Sequence, residues 1–270
     1  MDKIQYTSKE GSSLVVPVFN GRTVDKMPEL VAQEYTPISV AGIMEQRIKA
    51  WQSGDQELAQ LWGRNYFDSG DGIMYHPDGR IKVVPDSETL RSVNPNTPLR
   101  WYGAQVLSEG TFDKAQGEEF SRKDVKRFAN EYLKQKDVLN NPIWLALARG
   151  DKELLKDYAG QVYSRINDPN LMKIWVSDAP DFEAERLWCL GGLGGNSIVS
   201  GGSDGLLDDV SGRLVGVAPK VQACDEVAPV ATKMNLEALM GDFRTLADDG
   251  FLTPKAQALY EALQSGKYNL

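Results

Sequence analysis

Apolar residues recur at helical spacing most clearly between Ser121 and Arg165. Val125, Phe128, Ala129, Tyr132 and Leu133 fall at i, i+3, i+4, i+7 and i+8, one continuous stripe. Ser121 caps the first turn, with Asp124 three residues on. Asn140-Asn141-Pro142 ends that helix, a second carries Ile143 and Leu147, and a third carries Leu155, Ala159, Val162 and Ile166. The spacing predicts a helical hairpin burying one face.

Upstream, residues 12–24 are β-prone, with Asn20-Gly21 read as a hairpin turn and Pro17 marking an edge strand. Thr36-Pro37 reads as a helix start, followed by an apolar face of Val40, Ile43, Met44, Ile48 and Trp51. A short helix with Leu58, Leu61 and Trp62 comes next. Residues 71–84 hold the clearest β signal. Asp78-Gly79 is a two-residue turn between alternating strands, placing Met74, His76, Ile81 and Val83 on one face and Ile73, Tyr75, Lys82 and Val84 on the other. Residues 99–107 add a strand, and Asp181–Leu190, with Phe182, Leu187 and Trp188, reads as a helix. Glycines crowd residues 191–216 and disfavour regular helix there. Two terminal helices follow, one with Leu236, Leu239, Met240, Phe243 and Leu246, the other opening at Thr253-Pro254.

Residues 71–81 and 204–214 echo each other at an offset of 133, which suggests two related hairpins. Turn chemistry alone recruits Asp, Gly and flanking aliphatics, so coincidence accounts for the echo better than a repeat does. These patterns predict an α+β fold, predominantly helical, with short antiparallel hairpins packed on helical hairpins. Two modules are expected, 1–115 with the 71–84 hairpin and 116–270 with the Gly-rich segment, or else a single domain, since no long polar linker marks the boundary.

Composition narrows the function classes. The 270 residues carry 30 Lys plus Arg against 38 Asp plus Glu, a net charge of −8 that opposes binding to phosphate backbones. Residues 121–166 are the exception, with ten basic and six acidic side chains interspersed as on a solvated face. Two cysteines, Cys189 and Cys224, form no disulfide framework or CxxC pair. The first residues lack an apolar leader, and no run is long enough to span a bilayer, so a cytoplasmic setting is expected.

Candidate chemistry is sparse. Gly201-Gly-Ser203-Asp-Gly205 matches Gly-x-Ser-x-Gly, but its only available base is His76, which precedes the serine, and no strand–helix alternation surrounds it. Gly192-Leu-Gly194 lacks both the preceding strand and the following helix of a phosphate loop. Carboxylates are better placed: Asp68, Asp71 and Asp78 around the first hairpin, and Asp204, Asp208 and Asp209 in its echo. With His76 they offer oxygen and nitrogen ligands for a divalent cation such as Mg²⁺ or Ca²⁺. No cofactor is otherwise implied. Trp101-Tyr102 stands apart from the other tryptophans: two adjacent aromatics on a strand cannot both face one core, so one lines a groove. The leading expectation is therefore a non-catalytic protein-interaction or assembly module binding through Trp101 or Tyr102. The alternative is a metal-assisted hydrolase using Asp71, Asp204, Asp208, Asp209 and His76, and the third a serine hydrolase using Ser203 and His76.

Overall fold

The computed structural model describes residues 2–7, 13–165, 170–192, 196–202 and 204–218. The two expected terminal helices, Cys224, Ile166 and Ser203 lie outside them.

Strands β1 (Asp2–Thr7) and β2 (Ser13–Asn20) pair antiparallel. Asn20-Gly21 is not a hairpin turn. Gly21, at φ +123°, passes the chain straight into helix α1 (Thr23–Ala32). Thr36-Pro37 forms a short strand, β3, and does not start a helix. The cap of α2 (Val40–Gln52) is Ser39, whose hydroxyl accepts from the Gly42 N–H. The expected face of α2 is buried as read, and α3 (Gln56–Arg64) is capped by Asp55.

The hairpin of β4 (Phe67–Tyr75) and β5 (Ile81–Val84) is present, with a wider turn than the two-residue one expected. Its loop is closed by His76 N–H donating to the Arg80 carbonyl at 3.0 Å, so Tyr75 pairs with Ile81 and Ile73 with Val83. The faces are therefore Ile73, Tyr75, Ile81 and Val83 against Met74, Lys82 and Val84, a one-residue correction that moves one whole strand across the sheet. After α4 (Glu88–Arg91), the expected strand at 99–107 is broken into β6 (Leu99–Arg100) and β7 (Ala104–Val106). Helix α5 (Thr111–Lys114) leads to β8 (Glu118–Phe120), which pairs with β5.

Ser121 and Asp124 make the reciprocal capping box that opens α6 (Arg122–Phe128). That helix ends earlier than its stripe implied, because Tyr132 and Leu133 form strand β9. Then come α7 (Gln135–Val138), α8 (Pro142–Leu147, capped by Asn141), α9 (Lys152–Arg165) and β10 (Met172–Trp175). The largest correction is at 181–190. It is no helix but a strand, β11 (Ala184–Leu190), every residue of it buried. A strand covered on both faces loses the period-two alternation that would announce it. β12 (Ser197–Ser200) and β13 (Arg213–Val217) complete the set, and residues 204–212 between them form turns. The echo of 71–81 is therefore no second hairpin.

The strands join one large mixed sheet in the order β1-β2-β13-β4-β11-β12-β10-β9, which organises the described residues. The predominantly helical α+β expectation is thereby overturned. One sheet face carries the main core under α2, α8 and α9, with Trp144, Tyr158 and Trp188 fully buried. Each such side chain contributes about 1.5–3 kcal/mol through removal from water. Its cation is Arg47, whose guanidinium makes five hydrogen bonds, four of them to carbonyls. The other face is covered only in part, by α1 and α4 over Leu187, Cys189 and Leu214.

Candidate functional site

The uncovered part of that second face lies over β9, β10 and β12. Register places Tyr132 beside Lys173 and Lys173 beside Ile198, with Trp175 beside Ser200 and Ser200 beside Cys189. Residues paired across strands share a face. Their neighbours Met172, Ile174, Val199 and Leu190 turn the opposite way into the main core. Trp175 is 38% and Tyr132 45% exposed, and the Lys173 ammonium lies 4.5 Å and 5.1 Å from their ring centres. Asn196 donates to the Tyr132 hydroxyl at 3.2 Å.

Next to this platform is a cavity of about 420 Å³. Cys189, Ile198 and Ser200 lie at its base on the sheet, and Tyr66, Asp204 and Asp209 also line it, without a lysine or arginine among the described lining residues. Asp68 is buried close by: its Oδ2 accepts from the Arg213 N–H at 2.6 Å, and burial, aided by the Asp209 charge, pushes its pKa up to about 7. Burial, with the charges of Asp68 and Asp204, raises the Cys189 thiol well above its ordinary value. Burial first, then the same kind of charge from Asp68 and Asp209, raises Tyr66. The cavity is thus a region of negative potential, and Cys189 is held as an inert thiol.

At the end of the platform the chain turns through Trp101, Tyr102 and Gly103, all with positive φ (48°, 56° and 73°). For the two aromatics this conformation costs about 1–3 kcal/mol each. Trp101 packs inward against the main core while Tyr102 is 79% exposed. One in, one out was the expected division, reached through a turn and not through the two faces of a strand. The turn is docked on the Gly-rich segment: Leu207 N–H donates to the Gly103 carbonyl at 3.0 Å. Gly202 lies against the Trp175 ring so closely that a Cβ there would sit 2.4 Å from Cδ1. Residues 196–202 therefore lie beside Tyr132 and Trp175, and residues 204–208 beside the turn that carries Tyr102.

The other residues singled out from the sequence are dispersed. Asp71 Oδ2 accepts from Val40 N–H (2.8 Å), and Oδ1 accepts from Asp86 N–H (3.1 Å) and Arg149 Nη2 (2.6 Å). It is a buried pin and does not line the acidic cavity. His76 Nδ1 lies 2.8 Å from Asp78 Oδ1, with its ring on Phe112. Asp204 and Asp209 share the cavity, whereas Asp208 abuts Gly103, where a Cβ would lie 2.0 Å from its Oδ1. Among the described residues no three His, Cys, Asp or Glu side chains gather to hold a metal ion. No described helix is long and apolar enough to cross a membrane. Tyr66, Lys173 and Trp175 were not singled out from the sequence, and Tyr132 was placed in a buried helical stripe where it is 45% exposed on a strand. The signal for two of them was present: in Met172-Lys-Ile-Trp-Val176 alternate residues are apolar and buried, which marks Lys173 and Trp175 as outward-facing.

This architecture is a C-type lectin fold. It is similar to a solved structure described as "Accommodation of massive sequence variation in Nanoarchaeota by the C-type lectin fold", with a TM-score of 0.56 and 18% identity, covering 75% of this chain and 97% of that one. At that identity the likeness carries the fold alone. No protein-family model matches the chain, and no curated protein does.

Proposed function

We propose that this chain is a non-catalytic binding module in which the sheet and its helices hold a recognition face made from the 101–103 turn, the β9–β10 platform and the 196–211 segment. One observation carries the reading. Of the large hydrophobic side chains that the described residues expose, Tyr102, Tyr132, Trp175 and Val210 all belong to this one region, and only Val31 and Val217 lie elsewhere. Exposed aromatics gathered beside a polar cavity are the composition of a contact surface, since aromatic anchors dominate binding energies. The similar solved structure is described as accommodating massive sequence variation on this fold. A face built mainly from short strands and turns over a closed core suits such exchange here as well. A protein partner fits the breadth of the face better than a small ligand does.

The test is mapping by amide chemical shifts with three defined probes: arginine amide, indole and N-acetylglucosamine. Shifts concentrated on residues 101–103, 132, 173–175 and 196–211 are expected from at least one of them. Shifts centred instead on the separate cavity bounded by Thr111, Lys114 and Gln116 would refute the assignment.

A further inference from the structure

Two buried arginines in this molecule are treated very differently. Arg47 is satisfied by four carbonyl contacts and the Tyr158 hydroxyl. Arg186 is equally buried, at 1% exposure, yet its Nε has no partner and it forms no ion pair among the described residues. A guanidinium in the middle of a fully buried strand is an expensive choice where an apolar side chain of similar volume would serve the core at least as well. The bonds that Arg186 does make explain its presence. Nη2 donates to the Trp101 carbonyl, Nη1 donates to Ser177 Oγ at 3.2 Å, and the guanidinium carbon stands 4.1 Å from the centre of the Trp101 ring. The ring of Tyr75 meets that same indole edge-on at 4.9 Å.

Trp101 is also where three successive left-handed residues begin. Bulky side chains hold such a backbone only when their surroundings over-determine it. A buried cation with one unpartnered nitrogen and a strained turn thus meet at one carbonyl and one ring, and the residue that follows is the most exposed aromatic of the described chain. We infer that Arg186 is a positioning residue: by gripping Trp101 it holds the turn in its strained form and presents Tyr102 already ordered for contact. Ordering an anchor before binding removes an entropy loss that the complex would otherwise bear. The inference rests on the recognition face proposed above.

Arg186→Lys tests it, because lysine keeps the charge and the stem but loses the planar stack and the fork. Two readouts are taken: the intraresidue HN–Hα coupling and NOE of Tyr102, which report positive φ, and the affinity for whichever of the three probes binds the wild type, with Tyr102→Ala as control. The variant is expected to keep wild-type amide shifts through α9, lose the positive-φ signature at Tyr102, and bind the probe about tenfold more weakly, matching Tyr102→Ala. An unchanged signature at Tyr102 overturns the inference. If Tyr102→Ala leaves probe binding intact, the assignment of Tyr102 as a contact fails, and the coupling still decides whether Arg186 positions the turn. Should Arg186→Lys not fold, Trp101→Phe, which shrinks the ring under the guanidinium, is read in the same way: loss of the signature supports the role, and its persistence overturns it.

Discussion

Asp71 and Glu185 in the sheet interior, and Asp204 and Asp209 beside the platform, are the same kind of side chain put to opposite uses. Asp71 has both oxygens taken by Val40, Asp86 and Arg149, while Glu185 accepts from Ser87 Oγ and Thr89 Oγ1. These interior carboxylates tie elements together. Asp204 and Asp209 instead line open space, Asp209 while its Oδ1 accepts from the N–H and Oγ of Ser211 in the adjoining turn, and the potential they create is felt by Cys189, Tyr66 and Asp68. A carboxylate whose lone pairs are filled by its own chain belongs to the fold, whereas one that faces a cavity is available to something else.

The contrast is broken most severely at Asp71. Asp71→Ala leaves the Val40 and Asp86 backbone donors without their acceptor and Arg149 with Asp86 alone, and loses about 3–5 kcal/mol, read as a drop in the urea midpoint. A midpoint equal to wild type would mean that Asp71 is not a pin. Glu185 sharpens the comparison through pH. Burial lifts its folded pKa to about 7 from an ordinary 4.5, so the folded state binds its proton more tightly than the unfolded one. Stability from this group is full below about pH 4.5 and declines as pH rises toward 7. Glu185→Gln should flatten the stability profile across that window, by on the order of 3 kcal/mol. Parallel profiles for variant and wild type would count against a buried, proton-holding carboxyl.

A smaller effect is expected at the seam between the two regions. A Cβ on Gly205 would lie 2.2 Å from the Leu187 carbonyl oxygen, so Gly205→Ala forces the 201–211 segment off β11. The loss is about 1–3 kcal/mol, with amide shifts moving in that segment and not in β4. Movement spread evenly through the sheet would deny that the seam is local. Smallest of all, Tyr102→Ala changes stability by no more than about 0.5 kcal/mol in the same urea titration, because its side chain contributes little to the core. A larger loss would make Tyr102 a structural residue.

Helices α2 and α9 were legible because their stripes bury one face, as with Val40, Ile43 and Met44, or Leu155, Ala159 and Val162, whereas α1 begins inside the run read as β-prone and was missed. The sheet was not. β11 is covered on both sides and contains Glu185 and Arg186, so neither alternation nor a clean apolar run marked it. A two-residue strand such as β9 depends on a partner, β10, more than 35 residues away, which no local window can supply. Trp101-Tyr102 was legible as a pair that could not be buried together. The aspartates were legible only as residue types, since what separates Asp71 from Asp204 is the long-range geometry of their donors.

The recognition face is tested most directly by the triple variant Tyr102→Ala/Tyr132→Ala/Trp175→Ala, with its melting temperature and probe binding measured beside wild type. A fall of less than about 4 °C together with at least about tenfold weaker binding of the effective probe would mean that these aromatics serve contact and not folding. A large fall in melting temperature, with probe affinity intact, would contradict the proposed face.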